Sequence, residues 1–446
     1  MGVILQYGGQ TAIKLAGFLE SKGVHIIGTP LAGIDGAENR ELFEKLLEAN
    51  HVKRPLGKTV MTKEQGLLAG EELGYPVLVR PSYVLGGRGM EIARNSVELG
   101  KLIAQARRKE PKQPILVDQY LNGLEVEVDG ICDGKKVLIP GIMEHLERAG
   151  VHSGDSISIY PPPSITSDMK GKIVEVTEKL ASALGIVGLI NIQFVIADDE
   201  LYVIEVNPRA SRTVPFLSKV TGIPMIEAAT RVMLGERLEQ VGYGVGLLPE
   251  RNLYAVKVPV FSMDKIPGTE IALGPEMKST GEVLGVEYGL TRALYKGFLA
   301  AKMGLPREGR ILVSVSDSLK HELAELAGQL HQLGYEFVAT RGTMEFLIKN
   351  GIPSQQVGKI AQGGETVLDL IRSGVVSGVI NIPSVGRDSK TDGFKIRRAA
   401  VEKRIPCFTS LDTVWAWVQI VRSGLEPGEP GIVNICDLTL KPNPVF

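Results

Sequence analysis

The sequence predicts a multidomain protein that combines α/β and α+β folds. Its 446 residues are enough for two or three domains. Strand and helix patterns alternate in residues 2–50 and again after residue 310, which is typical of α/β units. Between these two regions, strand-like runs separated by short turns indicate antiparallel hairpins.

Composition and charge argue against several classes of protein. Hydrophobic residues make up 44% of the chain and charged residues 23%, as in ordinary globular proteins. The formal net charge of -1 gives no reason to expect nucleic acid or a membrane as a partner, and no apolar run could span a bilayer. Met1 is not followed by a signal peptide pattern. Three widely spaced cysteines, Cys132, Cys407 and Cys436, predict a reducing, cytoplasmic location without disulfides.

The first 50 residues have the pattern of an incomplete Rossmann-like unit. Residues 3–5 and 25–27 are predicted strands, and a Gly-Gly-Gln-Thr turn at residues 8–11 leads into a helix. A doubly wound unit normally has more strands, so we expect the chain to begin inside a domain. A natural gene boundary, an error in the gene model and an excised fragment all remain open as explanations.

Residues 40–206 contain hairpins, helices and two loops rich in functional residue types. A glycine-rich loop at residues 82–90 could close over phosphates, although most such loops are plain hairpin turns. The polar run at residues 144–156 is loop-like and ionisable, which indicates a site. Helices are predicted over residues 40–50, 63–73 and 169–184, and strands over 77–80, 91–93, 115–120, 125–129 (half-buried), 137–140, 189–196 and 201–206.

The run Val-Ile-Glu-Val-Asn-Pro-Arg-Ala-Ser-Arg at residues 203–212 carries the clearest chemical signal. Glu205 and Asn207 are two residues apart on a predicted strand, so their side chains leave the same face. A carboxylate and an amide oxygen can together hold Mg²⁺. Arg209 and Arg212 follow on the loop, and arginine suits the phosphates of a metal-bound nucleotide. The alternative is a solvated strand end with scattered charges.

A family resemblance, carried by the four runs quoted below, implies that Gln193 reaches the same cation, and Gln193 would then face Glu205 across an antiparallel hairpin. Along an antiparallel hairpin, the residue numbers of each directly paired couple add to the same value. The pairing of Gln193 with Glu205 therefore predicts that Ala197 pairs with Leu201 around a three-residue loop at 198–200. A two-residue turn would instead pair Ala197 with Glu200. That register would place Ile192 opposite Glu205 and turn Gln193 to the wrong face.

A domain boundary is predicted near residues 304–309, where glycine and proline interrupt the pattern. After it, strands and helices alternate as in a small, independent α/β domain. Strands are predicted over residues 311–315, 337–339, 375–381 and 407–409, and helices over 320–333, 344–350, 395–402 and 411–421, after a helix at 226–234 and a mixed region at 237–302.

Four long runs together resemble the large chain of carbamoyl phosphate synthetase. They are Arg80-Pro-Ser-Tyr-Val-Leu-Gly-Gly-Arg-Gly-Met, Ala149-Gly-Val-His-Ser-Gly-Asp-Ser, Glu205-Val-Asn-Pro-Arg-Ala-Ser-Arg and Gly274-Pro-Glu-Met-Lys-Ser-Thr-Gly-Glu-Val. The resemblance covers nearly the whole chain and corresponds to the family's carboxyl-terminal part. It implies a truncated pre-ATP-grasp segment (1–43), an ATP-grasp domain (44–236), the remainder of the synthetase unit with a connector (237–302), and a doubly wound regulatory domain similar to methylglyoxal synthase (303–446).

By this resemblance the chain phosphorylates carbamate with ATP and releases carbamoyl phosphate and ADP. The implied cofactors are ATP and Mg²⁺ or Mn²⁺, and the family also leaves room for K⁺. Arg209, Arg212 and Asn207 fall at the catalytic positions, and Gln193, Glu205 and Asn207 at the metal positions. Nucleotide-binding positions fall on Arg40, Arg80, Gln119, Leu121, Glu125, Gly150, Val151, His152, Ser153, Gln193 and Glu205.

The resemblance also implies partners and effectors. The amino-terminal synthetase half and the glutaminase small subunit are absent from the sequence, so the chain would not make carbamate by itself. Glu147 and Asp155 match the family's ornithine site, but Val258 follows Val256-Lys257 where a glutamate is expected, so ornithine activation is not expected. The positions for a nucleotide effector such as UMP are Lys320, Thr340, Gly342, Thr343, Lys359 and Asn381; a solvated surface is the alternative.

Two other functions compete with this one. A different ATP-grasp ligase, such as a biotin carboxylase or a D-alanine ligase, would share the metal and phosphate residues but not the run at 149–156 or the regulatory domain. A non-catalytic fragment would bind nucleotide without turnover and serve in regulation or docking.

Overall fold

A computed structural model describes residues 2–81, 89–263, 268–360, 365–383, 391–425 and 431–434. Most of the predicted glycine-rich loop, residues 82–88, lies outside this part, as does Cys436. The strands are β1 Gly2–Val3, β2 His25–Ile26, β3 Gly57–Val60, β4 Val77–Pro81, β5 Glu91–Ala93, β6 Ile115–Gln119, β7 Leu124–Asp133, β8 Val137–Ile139, β9 Ile142–His145, β10 Ser158–Tyr160, β11 Val187–Ala197, β12 Glu200–Asn207, β13 Gly246–Leu247, β14 Tyr254–Val260, β15 Gly281–Glu287, β16 Arg310–Val315, β17 Glu336–Thr340, β18 Ser354–Val357, β19 Gly378–Ile382 and β20 Cys407–Phe408.

The helices connect these strands and cover the sheets. They are α1 Gly9–Ile13, α2 Ala16–Ser21, α3 Leu31–Glu38, α4 Arg40–Ala49, α5 Lys63–Leu73, α6 Ser96–Lys109, α7 Ser167–Ala183, α8 Val214–Thr221, α9 Met225–Met233, α10 Leu238–Val241, α11 Leu290–Ala300, α12 Lys320–Gln332, α13 Arg341–Lys349, α14 Val367–Ser373, α15 Asp392–Glu402 and α16 Leu411–Arg422. Within the described part, no helix is long and apolar enough to cross a membrane.

The amino-terminal segment forms a two-stranded parallel sheet that packs against the next domain. β1 pairs with β2, and α1 to α3 surround the pair. Gln6 follows β1 and is buried; its Oε1 accepts from the backbone N of Leu189 (2.9 Å) and its Nε2 donates to Thr29 (2.7 Å). The backbone N of Ala210 donates to the carbonyl of Gln6 (3.0 Å), so this segment contacts the loop that carries the predicted arginines.

Two mainly antiparallel sheets follow, and they provide the framework of the predicted site. The smaller sheet has the order β3-β6-β4-β5, and α5 and α6 pack on it. The larger sheet runs β12-β11-β7-β9-β10-β14-β15, with β8 and β13 at one side. Apolar residues of α7 cover one face of it and those of α8 and α9 the other. β14 and β15 lie in this same sheet, and both come from the region whose pattern appeared mixed.

Strand β7 differs from the prediction because it is buried on both faces. The alternation at residues 125–129 predicted a half-buried strand, but every residue of β7 after Leu124 is buried. Its neighbours β11 and β9 pair along both edges. The carboxylates of Glu125, Glu127 and Asp129 therefore lie in the interior, where they need polar partners.

The turn of the β11–β12 hairpin also corrects a prediction. Ala197 pairs with Glu200, so the turn has two residues, Asp198 and Asp199, and the predicted three-residue loop is wrong. Both turn residues have positive φ angles, 50° and 59°. This conformation matches a type I′ turn, which suits the twist of a hairpin and which aspartate tolerates better than most residues.

A β-bulge in β12 restores the register that the site requires. Gln193 lies opposite Glu205, as predicted, whereas Phe194 lies opposite Val203. Ile204 is therefore an extra residue in β12, and the ladder shifts by one position there. The short turn alone would have placed Ile192 opposite Glu205; with the bulge, Ile192 pairs with Val206 instead.

The carboxyl-terminal domain is a parallel sheet with the order β18-β17-β16-β19-β20. All of its strand pairs are parallel, as the alternation of strands and helices predicts. The direction in which the chain adds strands to the sheet reverses between β16 and β19. Doubly wound sheets bind ligands at such a point, beyond the carboxyl ends of the strands. β18 and α14 were not anticipated from the sequence.

Candidate functional site

Three sequence motifs that are far apart in the chain meet in space. Arg212 Nη1 donates to Ser279 Oγ (3.4 Å), and Ser279 Oγ donates to the carbonyl of Gly154 (2.7 Å). The backbone N of Ser279 also donates to Asp155 Oδ1 (2.8 Å). These residues belong to the runs at 149–156, 203–212 and 274–283.

The proposed metal positions lie where the end of β12, with Glu205 and Asn207, pairs with the middle of β11, which carries Gln193. Glu205 is exposed, and Gln193 Nε2 donates to Ser153 Oγ (3.0 Å), which links the hairpin to the loop at 150–153. Asn207 is buried, and its Oδ1 accepts from Arg209 Nη2 (2.8 Å).

This set of side chains fits a hard cation that also binds phosphate. A carboxylate with amide oxygens is the kind of donor set that Mg²⁺ prefers. In the described ranges, no cluster of three or more His, Cys, Asp or Glu side chains could hold a metal by itself. A cation at Gln193 and Glu205 would therefore take its remaining oxygen ligands from nucleotide phosphates or water.

Two predicted nucleotide-binding arginines approach one buried carboxylate. Arg40 at the start of α4 donates through Nη2 to Asp118 Oδ1 (2.8 Å), and Arg80 Nε in β4 lies 2.7 Å from Asp118 Oδ2. Asp118 is in β6, just before Gln119, while Leu121 follows the strand. Asp118 could not be singled out from the sequence, because its place in a predicted strand carries no chemical signal.

Gly57 makes this arrangement possible, and substituting it tests the arrangement. Gly57 pairs directly with Asp118, and a Cβ at position 57 would lie 2.0 Å from Asp118 Oδ1 and 2.6 Å from Arg40 Nη2. We expect Gly57→Ala to displace the carboxylate and weaken MgATP binding about tenfold, or about 1.4 kcal/mol, in calorimetric titration. Gly171→Ala in α7 is the control, because its Cβ would meet open space. Equal affinity in both variants would contradict the role of Asp118.

The loop at 150–153 has a backbone shape that restricts its sequence. Gly150 has a φ of +107°, and a Cβ there would lie 2.9 Å from the ring of Tyr120. Val151 follows it. The backbone N of His152 donates to the carbonyl of Gly274 (2.9 Å), and the backbone N of Gly154 donates to His152 Nδ1 (3.0 Å). Burial lowers the pKa of His152, and the accepting Nδ1 requires the unprotonated form.

Glu127 and Asp129 of β7 belong to a buried polar cluster that the sequence pattern does not reveal. Asn191 Nδ2 donates to both Glu127 (2.8 Å) and Asp129 (3.2 Å), and His145 Nε2 is 3.4 Å from Glu127. Burial and the neighbouring carboxylate of Glu127 raise the pKa of Asp129. Burial alone would raise the pKa of Glu127 as well, but contacts with His145, the charge of Lys257 and the bond from Asn191 lower it.

Glu125, at a predicted nucleotide position, borders this cluster. Its Oε1 lies 3.4 Å from His145 Nδ1. Burial raises the pKa of Glu125 to about 7, assisted by the negative charges of Glu127 and Glu205 and opposed by His145. A cation near Glu205 would favour the ionised form of this carboxyl group.

The residues at the ornithine positions already have partners within the protein. Glu147 accepts from Thr413 Oγ1 (2.8 Å), Ser156 Oγ (2.6 Å) and the backbone N of Ile157 (2.7 Å). Asp155 accepts from the backbone N atoms of residues 278 and 279. The buried Lys257 Nζ donates to the carbonyl of Ser153 (3.0 Å) and adds a positive charge nearby.

The predicted effector positions lie at or just beyond the carboxyl ends of the parallel strands. Lys320 Nζ donates to the carbonyl of Gly342 (2.8 Å), while Thr343 and Asn381 are buried. Thr340 ends β17, Lys320 begins α12 after β16, Lys359 follows β18 and Asn381 is in β19.

Comparison with known proteins identifies both domains. Residues 39–241 match the family "Carbamoyl-phosphate synthase L chain, ATP binding domain", and residues 322–409 match the "MGS-like domain" family. Carbamoyl phosphate synthase large chains from Clostridium botulinum (strain Kyoto) and Clostridium perfringens (strain 13) are 55% and 52% identical over 94% and 97% of this chain. The chain spans only 39% and 41% of those relatives.

The solved structures agree on the fold. A Campylobacter jejuni biotin carboxylase, described as a complex with β,γ-ATP, aligns with a TM-score of 0.51 at 17% identity, over 66% of this chain and 72% of that one. At this identity the likeness shows the ATP-grasp fold alone. With relatives at more than 50% identity over nearly its whole length, the chain is homologous to part of the carbamoyl phosphate synthase large chain and contains its ATP-binding domain.

Proposed function

We propose that this chain transfers the γ-phosphoryl group of ATP to carbamate, giving carbamoyl phosphate and ADP. The observation that carries the proposal is the pairing of Gln193 with Glu205 immediately before a loop that holds Arg209 and Arg212. Candidate ligands for a nucleotide-bound cation would then lie close in the chain to candidate ligands for a moving phosphoryl group, which supports the proposal. Carbamate is already a nucleophile, so positioning and charge neutralisation are what the protein must supply.

Each group of residues has a distinct part in this proposal. Glu205, Gln193 and Asn207 would hold Mg²⁺ or Mn²⁺, which neutralises charge on the phosphates when bound. Arg209 and Arg212 bind carbamate and the transferred group. The nucleotide lies against Arg40, Arg80, Gln119, Leu121, Glu125 and residues 150–153, and the family resemblance also allows a K⁺ ion.

The proposed reaction is one step of a larger synthesis. The chain matches about two fifths of its curated relatives, so carbamate would come from an amino-terminal synthetase half and a glutaminase small subunit. We place the product in pyrimidine or arginine synthesis in the cytoplasm.

The reverse reaction gives the most direct test. The chain is mixed with carbamoyl phosphate and MgADP, and ATP formation is followed by a coupled luciferase assay. ATP formation above a protein-free control supports the proposal. The forward reaction of carbamate with ATP must also occur. Activity only with another acid, such as bicarbonate with biotin, would favour a different ATP-grasp ligase. Thermal stabilisation by ATP without any turnover would favour a non-catalytic nucleotide-binding fragment.

The regulatory domain carries a separate prediction about UMP. We expect Lys320→Ala and Lys359→Ala each to weaken UMP binding and leave phosphoryl transfer nearly unchanged. A charged contact is worth roughly 1.5–3 kcal/mol, so the dissociation constant should rise about 10- to 150-fold in calorimetric titration. Lys349→Ala, at the opposite end of α13, is the matched control. If the unsubstituted chain does not bind UMP, the effector is another anion and this assignment fails.

A further inference from the structure

The amino-terminal segment places one side chain against a proposed catalytic arginine. Arg209 Nε donates to Gln10 Oε1 (3.1 Å), although the two residues are 199 positions apart in the sequence. Gln10 lies in the first turn of α1, and its Nε2 donates to Glu38 Oε2 at the end of α3. Both residues precede the matched ATP-binding family region, which begins at residue 39.

The hydrogen-bonding chemistry of these three side chains allows a single arrangement. An ionised carboxylate only accepts hydrogen bonds, and a guanidinium only donates them. The amide of Gln10 therefore turns its NH₂ group toward Glu38 and its oxygen toward Arg209. If the amide were flipped, its NH₂ group would face another donor and its oxygen would face a carboxylate. Glu38 thus fixes the orientation of Gln10, and Gln10 accepts from Arg209.

Arg209 is held by two further contacts. Its Nη2 donates to Asn207 Oδ1 (2.8 Å) and its Nη1 donates to the carbonyl of Ala210 (3.1 Å). Contacts on Nε, Nη1 and Nη2 together define the plane of the guanidinium. A guanidinium has five N–H groups, so two remain for an anionic ligand. Asn207 ends β12 and Ala210 lies in the same loop as Arg209. Of these three partners, only Gln10 comes from a distant part of the chain.

We propose that Gln10 and Glu38 are positioning residues for Arg209. They hold its guanidinium in one orientation, so that the two remaining N–H groups are presented to the substrate without prior reorganisation. The role of Arg209 in phosphoryl transfer rests on the proposed function, whereas its restraint by Gln10 does not. The consequence is that the amino-terminal Rossmann-like segment is part of the reaction centre, through residues that do not themselves contact substrate.

The test combines a spectroscopic readout with kinetics on the full chain. The ¹⁵Nε–Hε signal of Arg209, assigned with Arg209→Lys, reports how well its side chain is held. We expect this signal to be sharp and slow to exchange with water in the unsubstituted chain and in Glu38→Gln, because glutamine still offers an oxygen to Gln10. In Gln10→Ala and Glu38→Ala the signal should broaden or disappear. Gln105→Ala and Glu20→Ala, at exposed positions, are matched controls.

The kinetic readout uses carbamoyl phosphate and MgADP. We expect kcat to fall roughly 10- to 100-fold in Gln10→Ala and Glu38→Ala, with an unchanged KM for ADP and near-normal kcat in Glu38→Gln. If the unsubstituted chain forms no ATP, the proposed function fails, and the Arg209 signal alone decides the positioning role. An Arg209 signal that is the same in Gln10→Ala as in Gln105→Ala would overturn the inference, and so would equal effects of Glu38→Gln and Glu38→Ala.

Discussion

Replacing Glu205 by glutamine is expected to lower phosphoryl transfer by at least about two orders of magnitude. Glu205 is the carboxylate of the proposed cation site, opposite Gln193 in the β11–β12 ladder. Glutamine has nearly the same shape but no charge, so the site keeps its geometry and loses attraction for Mg²⁺. The concentration of Mg²⁺ needed for half-maximal rate should rise at the same time. Initial rates of ATP formation over a series of Mg²⁺ concentrations measure both effects.

Stability measurements separate this effect from damage to the fold. Glu205 is exposed, so its neutralisation should change the free energy of unfolding by no more than about 0.5 kcal/mol. Glu200→Gln, on the same strand and also exposed, removes an equal charge at the hairpin turn and should leave the rate unchanged. Full activity in Glu205→Gln, or an equal loss in Glu200→Gln, would show that the proposed cation site is wrong.

The hairpin shows how far strand periodicity can take a sequence-based argument. The requirement that Gln193 face Glu205 was correct, but the loop deduced from it was not. A constant register assumes an unbroken ladder, and the bulge at Ile204 breaks it. Val203 and Val206 both belong to the same hydrophobic core although they are three residues apart, which strict alternation forbids. Their packing is a tertiary effect that the local pattern does not contain.

Strand β7 shows a second limit. Alternation of glutamate and valine normally indicates one face in water, and here the polar face is covered instead. The partners that make burial of Glu127 and Asp129 tolerable are Asn191, His145 and Thr213, which come from distant parts of the chain. Spacing along the sequence cannot reveal that these groups converge.

The carboxyl-terminal domain was easier to predict because its central strands are clearly apolar. β16, β17 and β19 were recognised close to their observed positions. β18 was missed because only one of its four residues, Ser-Gln-Gln-Val, is apolar. The strand lies at the edge of the sheet and pairs with β17 on one side. Edge strands need little hydrophobicity, so composition is a poor guide to them.

Replacing Arg397 by methionine should have the largest effect on stability. Arg397 in α15 donates to both carboxylate oxygens of Glu270, through Nε (2.7 Å) and through Nη2, and its Nη1 donates to Asn381 (2.5 Å). The two charged side chains are 3% and 10% exposed. Removing one partner leaves a desolvated carboxylate, and we expect the free energy of unfolding to fall by about 3 kcal/mol.

Tryptophan fluorescence can follow this change in the carboxyl-terminal domain. The chain has two tryptophans, Trp415 and Trp417, both in α16, and Trp417 is fully buried against Tyr335 and Phe408. Urea titration of their emission therefore reports the unfolding of this domain. Arg341→Met is the matched control: it breaks an exposed pair with a residue four positions away, and should cost no more than about 0.5 kcal/mol.

A double substitution and a pH series show whether the buried pair is the cause. Burial would raise the pKa of Glu270, but the hydrogen bonds and charge of Arg397 hold it below its ordinary value of 4.5. The stabilisation is therefore present above that pH and declines as the pH falls through the lowered pKa of the folded state. The difference between the unsubstituted chain and Arg397→Met should shrink in the same acidic range. Glu270→Leu removes the buried carboxylate that Arg397→Met leaves unpaired. Adding it to Arg397→Met should therefore recover part of the lost stability. If the single variant is as stable as Arg341→Met, or the double variant is less stable than Arg397→Met, the buried ion pair is not the source of this stability.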